Sequence, residues 1–319
     1  MFHTLMISLL VVVAFAGPAV AGDGRTAAEM FDVEWVNPPS DPPRGVTHHA
    51  FESPSMGVTV GYNVYQPPKS HAAQERYPVI YFLHGRAGHE SKHIGIARLL
   101  DTAIRSGQVA PFLMVFVNGG RDTGYLDSLD GTLMPETMIV HELIPHIDAK
   151  FPTIADRGGR GIEGFSMGSN GALRLALKHP NVFSSAVLYG AGGMRQIESI
   201  PDPKQAQSEK MQRIISQRIA QIGTNLDHWR AANSYYIAEE NREKVAGRVA
   251  IRQVIGTEDF TLPTARTTQG RLLELNIPSV FELLWRIDHE LLVLYQQVGV
   301  EGLCFHQHGI AARPIGSSH

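Results

Sequence analysis

The sequence predicts an α/β fold in which a mostly parallel central sheet is flanked by helices. Short apolar runs alternate along the chain with segments whose apolar residues recur at helical spacing, as in strands joined by crossover helices. The run Tyr77–Leu83 is apolar throughout, which is expected of a central strand covered on both faces. At 319 residues the chain is long enough to bury the core of one large domain of this class.

The predicted elements follow one another in a regular order from Val46 onward. Two antiparallel strands are expected within Val46–Gln66. The alternating part then consists of a strand at Val79–Leu83, a helix at Ile94–Ser106, a strand at Phe112–Val117, a helix at Glu136–Lys150, a strand ending before Ser166, a helix after it, and a strand at Ser184–Tyr189. Residues 194–246 change to a helical pattern, which predicts a cap-like insertion. Strands at Val249–Ile255 and Ser279–Arg286 and a helix from Leu291 complete the domain.

The predicted domain organisation has four segments. They are a signal peptide over residues 1–21, an extended Pro-rich segment over 22–45, the α/β domain over 46–308 and a C-terminal tail over 309–319. The leader prediction rests on an apolar core, Leu5–Ala16, that is too short to span a bilayer of about 30 Å and precedes an A-x-A cleavage signal. A retained membrane anchor is the alternative, because the first residues lack Lys and Arg. We expect a secreted or periplasmic protein with no stable membrane span after processing.

The amino-acid composition argues against two features: a nucleic-acid partner and an internal disulfide. The net charge of −3, with scattered basic residues, argues against nucleic acid as a partner. The single cysteine, Cys304, permits no internal disulfide, so stability must come from the core.

The most informative motif is Gly164-Phe165-Ser166-Met167-Gly168, a Gly-x-Ser-x-Gly pattern between a predicted strand and a predicted helix. At such a junction the serine sits in a strained turn, and the glycines remove Cβ atoms that would clash. The turn exposes the hydroxyl and aims the next amide at the same point. Ser166 is therefore the predicted nucleophile, with the Met167 amide as half of an oxyanion hole.

A serine hydroxyl needs a base, and an acid and a histidine follow Ser166 in the chain. Asp259 comes after the predicted strand Val249–Ile255 and a glycine turn, and His289 follows the next strand. Serine, acid and histidine in this order, each after a strand, match the triad of α/β-hydrolases. We predict Asp259 as the acid, with the neighbouring Glu258 as the alternative, and His289 as the base.

The second oxyanion donor and the substrate-binding residues are predicted from two further segments. The Gly-rich turn after the strand Val79–Leu83 brings its backbone close to the substrate, which makes the Arg86 amide the candidate donor. Three aromatic residues of the insertion, Trp229, Tyr235 and Tyr236, either line a substrate pocket or belong to the core.

A zinc site is the rival interpretation. His89-Glu90-Ser91-Lys92-His93 matches H-E-x-x-H, which on a helix would place His89 and His93 on one face with Glu90 as general base. The pattern fixes only three positions and no third ligand is evident nearby, so no metal is predicted. His306 and His308 lie near the chain end, where a frayed polar segment is expected rather than a metal site.

Together these segments resemble the "putative esterase" family of α/β-hydrolases, which includes feruloyl and acetylxylan esterases, S-formylglutathione hydrolases and mycolyltransferases. The resemblance is carried by Leu83-His84-Gly85, Gly119-Gly120-Arg121-x-x-Gly124-Tyr125-x-Asp127-Ser128, Glu142-Leu143-Ile144-Pro145-His146-Ile147-Asp148, the Ser166 motif and Gly256-Thr257-Glu258-Asp259. It implies the same nucleophile, acid, base and oxyanion donors as the residues do. Two departures are Ser169, where many members carry glycine, and Arg286-Ile287-Asp288 in place of a glycine-containing lead-in to the histidine.

The function expected from the motifs and the resemblance is that of an exported serine carboxylesterase. The expected substrate is a small-molecule or carbohydrate ester, with feruloyl or acetyl esters of carbohydrates as the candidates. An acyltransferase with the same triad is the alternative, because an alcohol can replace water in the second step. This chemistry requires no cofactor.

Overall fold

The structure, a computed structural model, describes residues 25–68, 76–190 and 192–311. The predicted signal peptide over residues 1–21 and most of the predicted tail lie outside these ranges. None of the helices within them combines the length and apolar character that a membrane span requires.

One sheet of eight strands forms the centre of the molecule. The strands are β1 Val46–Ser53, β2 Val58–Tyr65, β3 Val79–Leu83, β4 Leu113–Val117, β5 Arg160–Phe165, β6 Ser185–Tyr189, β7 Ala250–Gly256 and β8 Ser279–Leu284. Their order in the sheet is β1-β2-β4-β3-β5-β6-β7-β8. β2 pairs antiparallel with both β1 and β4, and every other neighbouring pair is parallel. The predicted α/β-hydrolase fold class is confirmed.

Helices cover both faces of the sheet. They are α1 Ala27–Phe31, α2 Ala97–Arg105, α3 Pro135–Thr137, α4 Ile144–Lys150, α5 Met167–Lys178, α6 Glu209–Ile222, α7 Leu226–Ala231, α8 Ser234–Val245, α9 Leu262–Glu274 and α10 Leu291–Ala311. A π-helical stretch, Met138–Leu143, joins α3 to α4, so the chain is helical from 135 to 150, close to the predicted range.

The alternating side chains of β3 show how the core is divided between the two faces. Tyr81 and Leu83 pack in a cluster with residues of α5, whereas Ile80 and Phe82 pack on the other face with residues of α2 and α10. A strand buried on both faces has no polar side, which explains its continuous apolar run. Leu83 pairs with both Val117 and Gly164, so the loops after β3 and β5 leave the same edge of the sheet side by side.

The N-terminal segment, predicted as extended over residues 22–45, contains the short helix α1. Thr26 and Glu29 form a reciprocal capping box: the Thr26 side chain accepts from the Glu29 amide, and the Glu29 carboxylate accepts from the Thr26 amide at 2.8 Å. Phe31, at the end of this turn, is buried. The capping hydrogen bonds and the buried ring stabilise a helical turn, which the proline content alone did not indicate.

The insertion between β6 and β7 contains α6, α7 and α8. Each of these helices begins at a side-chain cap, provided by Ser208, Asn225 and Asn233. Gln221 of α6 is buried and donates hydrogen bonds to the carbonyls of Thr123 and Leu126. These bonds fix α6 to the loop after β4, so the insertion lies over the edge of the sheet where the strands end at their carboxyl termini.

The last helix corrects the expectation of a frayed polar segment at His306 and His308. Both residues lie on α10; His308 is exposed, but His306 is fully buried. The His306 ring contacts the hydroxyl of Ser185 and the carboxylate of Glu163, two polar groups on inner strands that require hydrogen-bond partners. The contacts with His306 offset the cost of burying these two groups, while apolar residues of α10 such as Leu303 pack in the core, which explains why this part of α10 docks instead of fraying.

Candidate active site

Ser166 occupies the sharp turn between β5 and α5. Its backbone has φ 56° and ψ −114°, a left-handed conformation that is costly for a residue with a side chain. The flanking glycines permit the turn: a Cβ on Gly164 would lie 2.3 Å from the Gly168 carbonyl carbon, and a Cβ on Gly168 would lie 2.0 Å from the Leu83 carbonyl oxygen. The predicted strained turn is therefore present, and Ser166 faces the cavity above the sheet.

The structure brings the three residues of the predicted triad into one hydrogen-bonded chain. His289 Nε2 lies 2.9 Å from Ser166 Oγ, and His289 Nδ1 lies 2.8 Å from Asp259 Oδ2. The His289 side chain keeps 17% of its surface exposed, whereas the Asp259 side chain is 0% exposed. The ring can therefore reach both the serine hydroxyl and the cavity, while its carboxylate partner is sealed from water.

Asp259 is held as an ionised hydrogen-bond acceptor. Burial raises the pKa of this carboxyl, but hydrogen bonds from His289 and from the Thr261 side chain and amide outweigh burial and lower the pKa below its usual value. Thr261 donates to Oδ1 at 2.8 Å from its amide and 2.6 Å from its hydroxyl, which leaves Oδ2 for the ring. The alternative acid, Glu258, is exposed, and the hydrogen bond and ion pair of the His289 ring to a described carboxylate go to Asp259. The contacts favour Asp259.

The loop that carries His289 is fastened to the loop that carries Asp259. The Glu258 amide donates to the Ile287 carbonyl at 3.0 Å, and the Arg286 amide donates to Thr257 Oγ1 at 2.9 Å. Arg286 adopts φ 59°, a left-handed conformation that glycine reaches more easily. The nonglycine lead-in therefore forms the turn under backbone strain.

Two aromatic rings position the imidazole of His289. Phe165 lies 4.7 Å from it and Phe260 lies 4.6 Å from it, between ring centroids. Phe260 keeps 75% of its surface exposed, which is unusual for a phenylalanine. The sequence analysis did not identify Phe260, although its position directly after the acid was a usable signal.

The two predicted oxyanion donors lie at the same edge of the sheet. Met167 is the first residue of α5, so its amide is one of the four that lack an acceptor inside the helix. Arg86 lies in the loop after β3 and lines the cavity together with Gly85 and Ser166. Both amides remain candidates for binding the developing negative charge.

A buried histidine supports the loop that carries Arg86. His84 Nδ1 donates to the Gly85 carbonyl at 2.8 Å, and His84 Nε2 accepts from the Gly119 amide at 3.4 Å. Burial lowers the pKa of His84 to about 3, so the ring is neutral and can act as donor and acceptor at once. Tyr125 also donates to the His84 carbonyl, at 2.8 Å. These bonds fix the backbone next to the candidate donor.

A cavity of about 870 Å³ opens above Ser166 and His289. Trp229 of α7 is in its wall, with its Nε1 donating to the Gly223 carbonyl at 2.9 Å. The other two aromatic candidates do not line it. Tyr235 packs under the guanidinium of Arg271, 4.1 Å from ring to Cζ, and Tyr236 bonds to the backbone of Ile197. Of the two interpretations that the sequence left open, Trp229 fits the pocket, and the two tyrosines fit the supporting structure.

The H-E-x-x-H segment does not form the arrangement that a zinc site needs. Residues 89–93 are turns rather than a helix, so His89 and His93 do not share a helix face. Glu90 is buried and accepts hydrogen bonds from Asn37 and Asn118. Burial lowers the pKa of His93 to about 4, and its ring lies 5.7 Å from that of Phe165. The segment thus binds the N-terminal segment at Asn37 and forms part of the cavity wall with His93.

Comparisons with known proteins find relatives among esterases. An esterase of Mycobacterium tuberculosis is 31% identical over 162 residues, which cover 50% of this chain and 35% of that protein. The endo-1,4-beta-xylanase/feruloyl esterase of Xylanibacter ruminicola is 34% identical over 163 residues, which cover 48% of this chain and 22% of that protein. The chain thus spans about a third or less of the length of these two relatives.

Solved structures show the same fold. A ferulic acid esterase superimposes with a TM-score of 0.66 and 22% identity, covering 83% of this chain and 98% of that one. The sequence model of the family described as "Putative esterase" matches residues 53–275, a range that contains Ser166, Asp259 and the loop of Arg86. The chain therefore belongs to the putative esterase family of α/β-hydrolases.

Proposed function

We propose that the protein is a serine carboxylesterase that acts through an acyl-enzyme on Ser166. The observation that carries this proposal is the hydrogen-bonded chain from Ser166 Oγ through His289 to Asp259, at 2.9 and 2.8 Å, which opens onto the cavity. Family membership supports ester hydrolysis as the reaction class. No residue of this mechanism needs a cofactor.

In the first step His289 Nε2 takes the proton of Ser166 as Oγ attacks the ester carbonyl carbon. The carbonyl oxygen becomes negatively charged and is stabilised by the Met167 and Arg86 amides, with each donor contributing on the order of 3 kcal/mol to the barrier reduction. Asp259 stabilises the imidazolium that forms. The C–O bond to the leaving alcohol then breaks, and His289 returns the proton to the alcohol oxygen.

In the second step water attacks the acyl carbon of the acyl-serine. His289 accepts a proton from this water, and the tetrahedral intermediate releases the acid as the proton returns to Ser166 Oγ. Hydrolysis restores the resting enzyme without any net redox change. An acceptor alcohol in place of water would give acyl transfer by the same residues.

Two further parts of the proposal concern location and substrate. The leader-like residues 1–21 support export to the periplasm or the medium. The endo-1,4-beta-xylanase/feruloyl esterase among the relatives supports feruloyl esters of carbohydrates as substrates, and acetyl esters are the alternative. The cavity of about 870 Å³ is within the range of sites for small organic ligands.

The acyl-enzyme can be tested by rapid-mixing kinetics with p-nitrophenyl acetate. We expect an initial release of p-nitrophenol close to one equivalent of enzyme if deacylation is the slower step, and an acetyl adduct on Ser166 in the quenched protein. Rates with methyl ferulate, acetylated xylan and p-nitrophenyl esters of increasing chain length would define the acyl group. An adduct on another residue, with turnover retained in Ser166→Ala, would disprove the proposal.

A further inference from the structure

The cavity above Ser166 is positively charged, although the chain as a whole carries a net charge of −3. Glu290 is the only carboxylate among its described lining residues. Six cationic side chains line it: Arg86, Lys92, Arg174, Arg195, Lys210 and Arg218. They come from separate segments of the sequence, so the charge is a property of the folded cavity rather than of a local basic run.

The six cations differ in their partners. Arg174 pairs with Glu136, and Arg86 lies 3.3 Å from Asp122. Lys92, Arg195 and Lys210 are exposed and are therefore well solvated. Arg218 combines partial burial with the absence of an acid: within the described parts of the chain no carboxylate lies within 4 Å of its guanidinium.

Arg218 reaches the cavity from α6. Its Nη1 donates to the Thr123 carbonyl at 3.2 Å and to Gln221 Oε1 at 2.6 Å, so two neutral acceptors hold the side chain in place. Nη2 and Nε have no acceptor in the described structure. A Cβ on Gly124 would lie 2.4 Å from Nη2, so glycine at that position makes room for the guanidinium.

Within the described residues, no nearby negative charge offsets the positive charge of Arg218. Burial, followed by the charges of Arg174 and Arg86, lowers the pKa of Arg218 to about 9, which still leaves it charged at neutral pH. An uncompensated cation of this kind is stabilised when an anion binds next to it. Ile214 and Ile222, one helical turn before and after Arg218, supply apolar surface in the same cavity.

We propose that the substrate is an ester that carries a carboxylate on its acyl or alcohol part, and that Arg218 binds this carboxylate through Nη2 and Nε. One inner cation without an acid matches a single negative charge, and the planar guanidinium fits the two oxygens of a carboxylate. The exposed lysines and Arg195 attract such a substrate to the entrance. This inference rests on the proposed function, because it places the anion relative to an ester attacked by Ser166.

Two pairs of substrates distinguish the side of the ester that carries the charge. The acyl side is tested with p-nitrophenyl hydrogen adipate against p-nitrophenyl hexanoate, and the alcohol side with 4-acetoxybenzoate against 4-acetoxybenzamide. In the wild type, kcat/KM should favour the charged member of at least one pair, and added NaCl should reduce this preference. Arg218→Gln should reduce the charged-to-neutral ratio of that pair by about 10- to 100-fold.

Two variants control this experiment. Arg213→Gln removes an exposed cation from the same helix outside the cavity lining and should leave the charged-to-neutral ratio unchanged. Arg218→Lys keeps the charge without the planar fork and should give an intermediate ratio, which provides a readout even where Arg218→Gln folds poorly. Equal ratios in wild type, Arg218→Gln and Arg218→Lys for both pairs, without salt dependence, would overturn the inference. Hydrolysis that persists in Ser166→Ala would instead overturn the proposed function.

Discussion

Two sets of a serine, a histidine and a carboxylate occur around the neighbouring strands β5 and β6. In the first, Ser166, His289 and Asp259 form a hydrogen-bonded chain at the cavity. In the second, Ser185 Oγ lies 2.8 Å from His306 Nδ1, and His306 Nε2 lies 3.3 Å from Glu163 Oε2. The residue types and the order of contacts are nearly the same, but the surroundings are not.

The difference between the two sets is access and backbone geometry. Ser185, His306 and Glu163 are each 0% exposed, so no substrate can reach them. Ser185 lies within the regular strand β6, whereas Ser166 sits in a left-handed turn at a helix N-terminus beside an unpaired amide. The comparison teaches that a serine–histidine–carboxylate contact alone does not make a candidate active site. The strained turn, the adjacent candidate donors and the opening to solvent distinguish the set to which we assign the reaction from the buried one.

The largest expected effect separates the two serines. Ser166→Ala should reduce kcat/KM for p-nitrophenyl acetate by about 10⁴-fold or more, with little change in thermal stability, because only one partly exposed hydroxyl is lost. Ser185→Ala should retain activity and instead lower the unfolding free energy by about 1 kcal/mol, since a buried hydrogen bond is lost. Steady-state rates and urea unfolding of both variants measure the contrast. Comparable losses of activity in the two variants would contradict the distinction between Ser166 and Ser185.

The next largest effect concerns Asp259, the proposed acid of the set that contains Ser166. Asp259→Asn should reduce kcat/KM by about 10³- to 10⁴-fold, because the amide no longer fixes the tautomer of His289 or stabilises its cation. Glu258→Gln changes the neighbouring exposed carboxylate in the same way and serves as the matched control. Its activity should remain close to that of the wild type. A greater loss in Glu258→Gln would assign the acid to Glu258.

Histidine replacements should separate activity from stability. His306→Ala leaves buried Glu163 with a missing partner and should lower the unfolding free energy by on the order of 2 to 3 kcal/mol, while most ester hydrolysis is retained. His289→Ala should show the reverse pattern, with hydrolysis nearly abolished and stability nearly unchanged. Urea titrations read alongside kcat/KM would reveal either pattern. An active His289→Ala enzyme would place the base elsewhere.

Buried rings should also determine the response of stability to pH. Burial lowers the pKa of His84 to about 3 and that of His93 to about 4, so between pH 6.5 and 5 only the unfolded chain gains these protons. Stability is therefore present above the ordinary histidine pKa and falls as the pH drops, by on the order of 2 kcal/mol per ring at pH 5. Urea midpoints at pH 7 and pH 5 measure the loss. His84→Gln should reduce it, because one of the two buried rings is then absent; an equal loss in the wild type and in His84→Gln would contradict the account.

Much of the fold and the triad was predictable because the signals are local. The apolar run of β3 and the Gly-x-Ser-x-Gly turn each encode their conformation within a few residues. The order of Ser166, Asp259 and His289 along the chain then predicted which side chains would meet, without any knowledge of their distances in the fold. The helix α1 was predictable in principle, since Thr26-Ala27-Ala28-Glu29 is a capping-box sequence.

Other features could not be derived from local patterns because they depend on contacts between distant segments. His306 is buried by partners on β5 and β6, which no signal near the chain end indicates. The charge of the cavity arises where residues of several loops and helices converge. Arg218 did leave one trace, since it stands between Ile214 and Ile222 at a spacing of four residues along α6. A cation between two apolar residues on one helix face was a usable sign that its side chain lies in the cavity wall.

The most direct test of the central claim is covalent labelling with a fluorophosphonate, which phosphonylates activated serines and is followed by peptide mapping. The account predicts one equivalent of label on Ser166, loss of labelling in Ser166→Ala and in His289→Ala, and unchanged labelling in Ser185→Ala. Loss of esterase activity should parallel labelling. Stoichiometric label on Ser185 or on any other residue, or esterase activity that survives full labelling of Ser166, would contradict it.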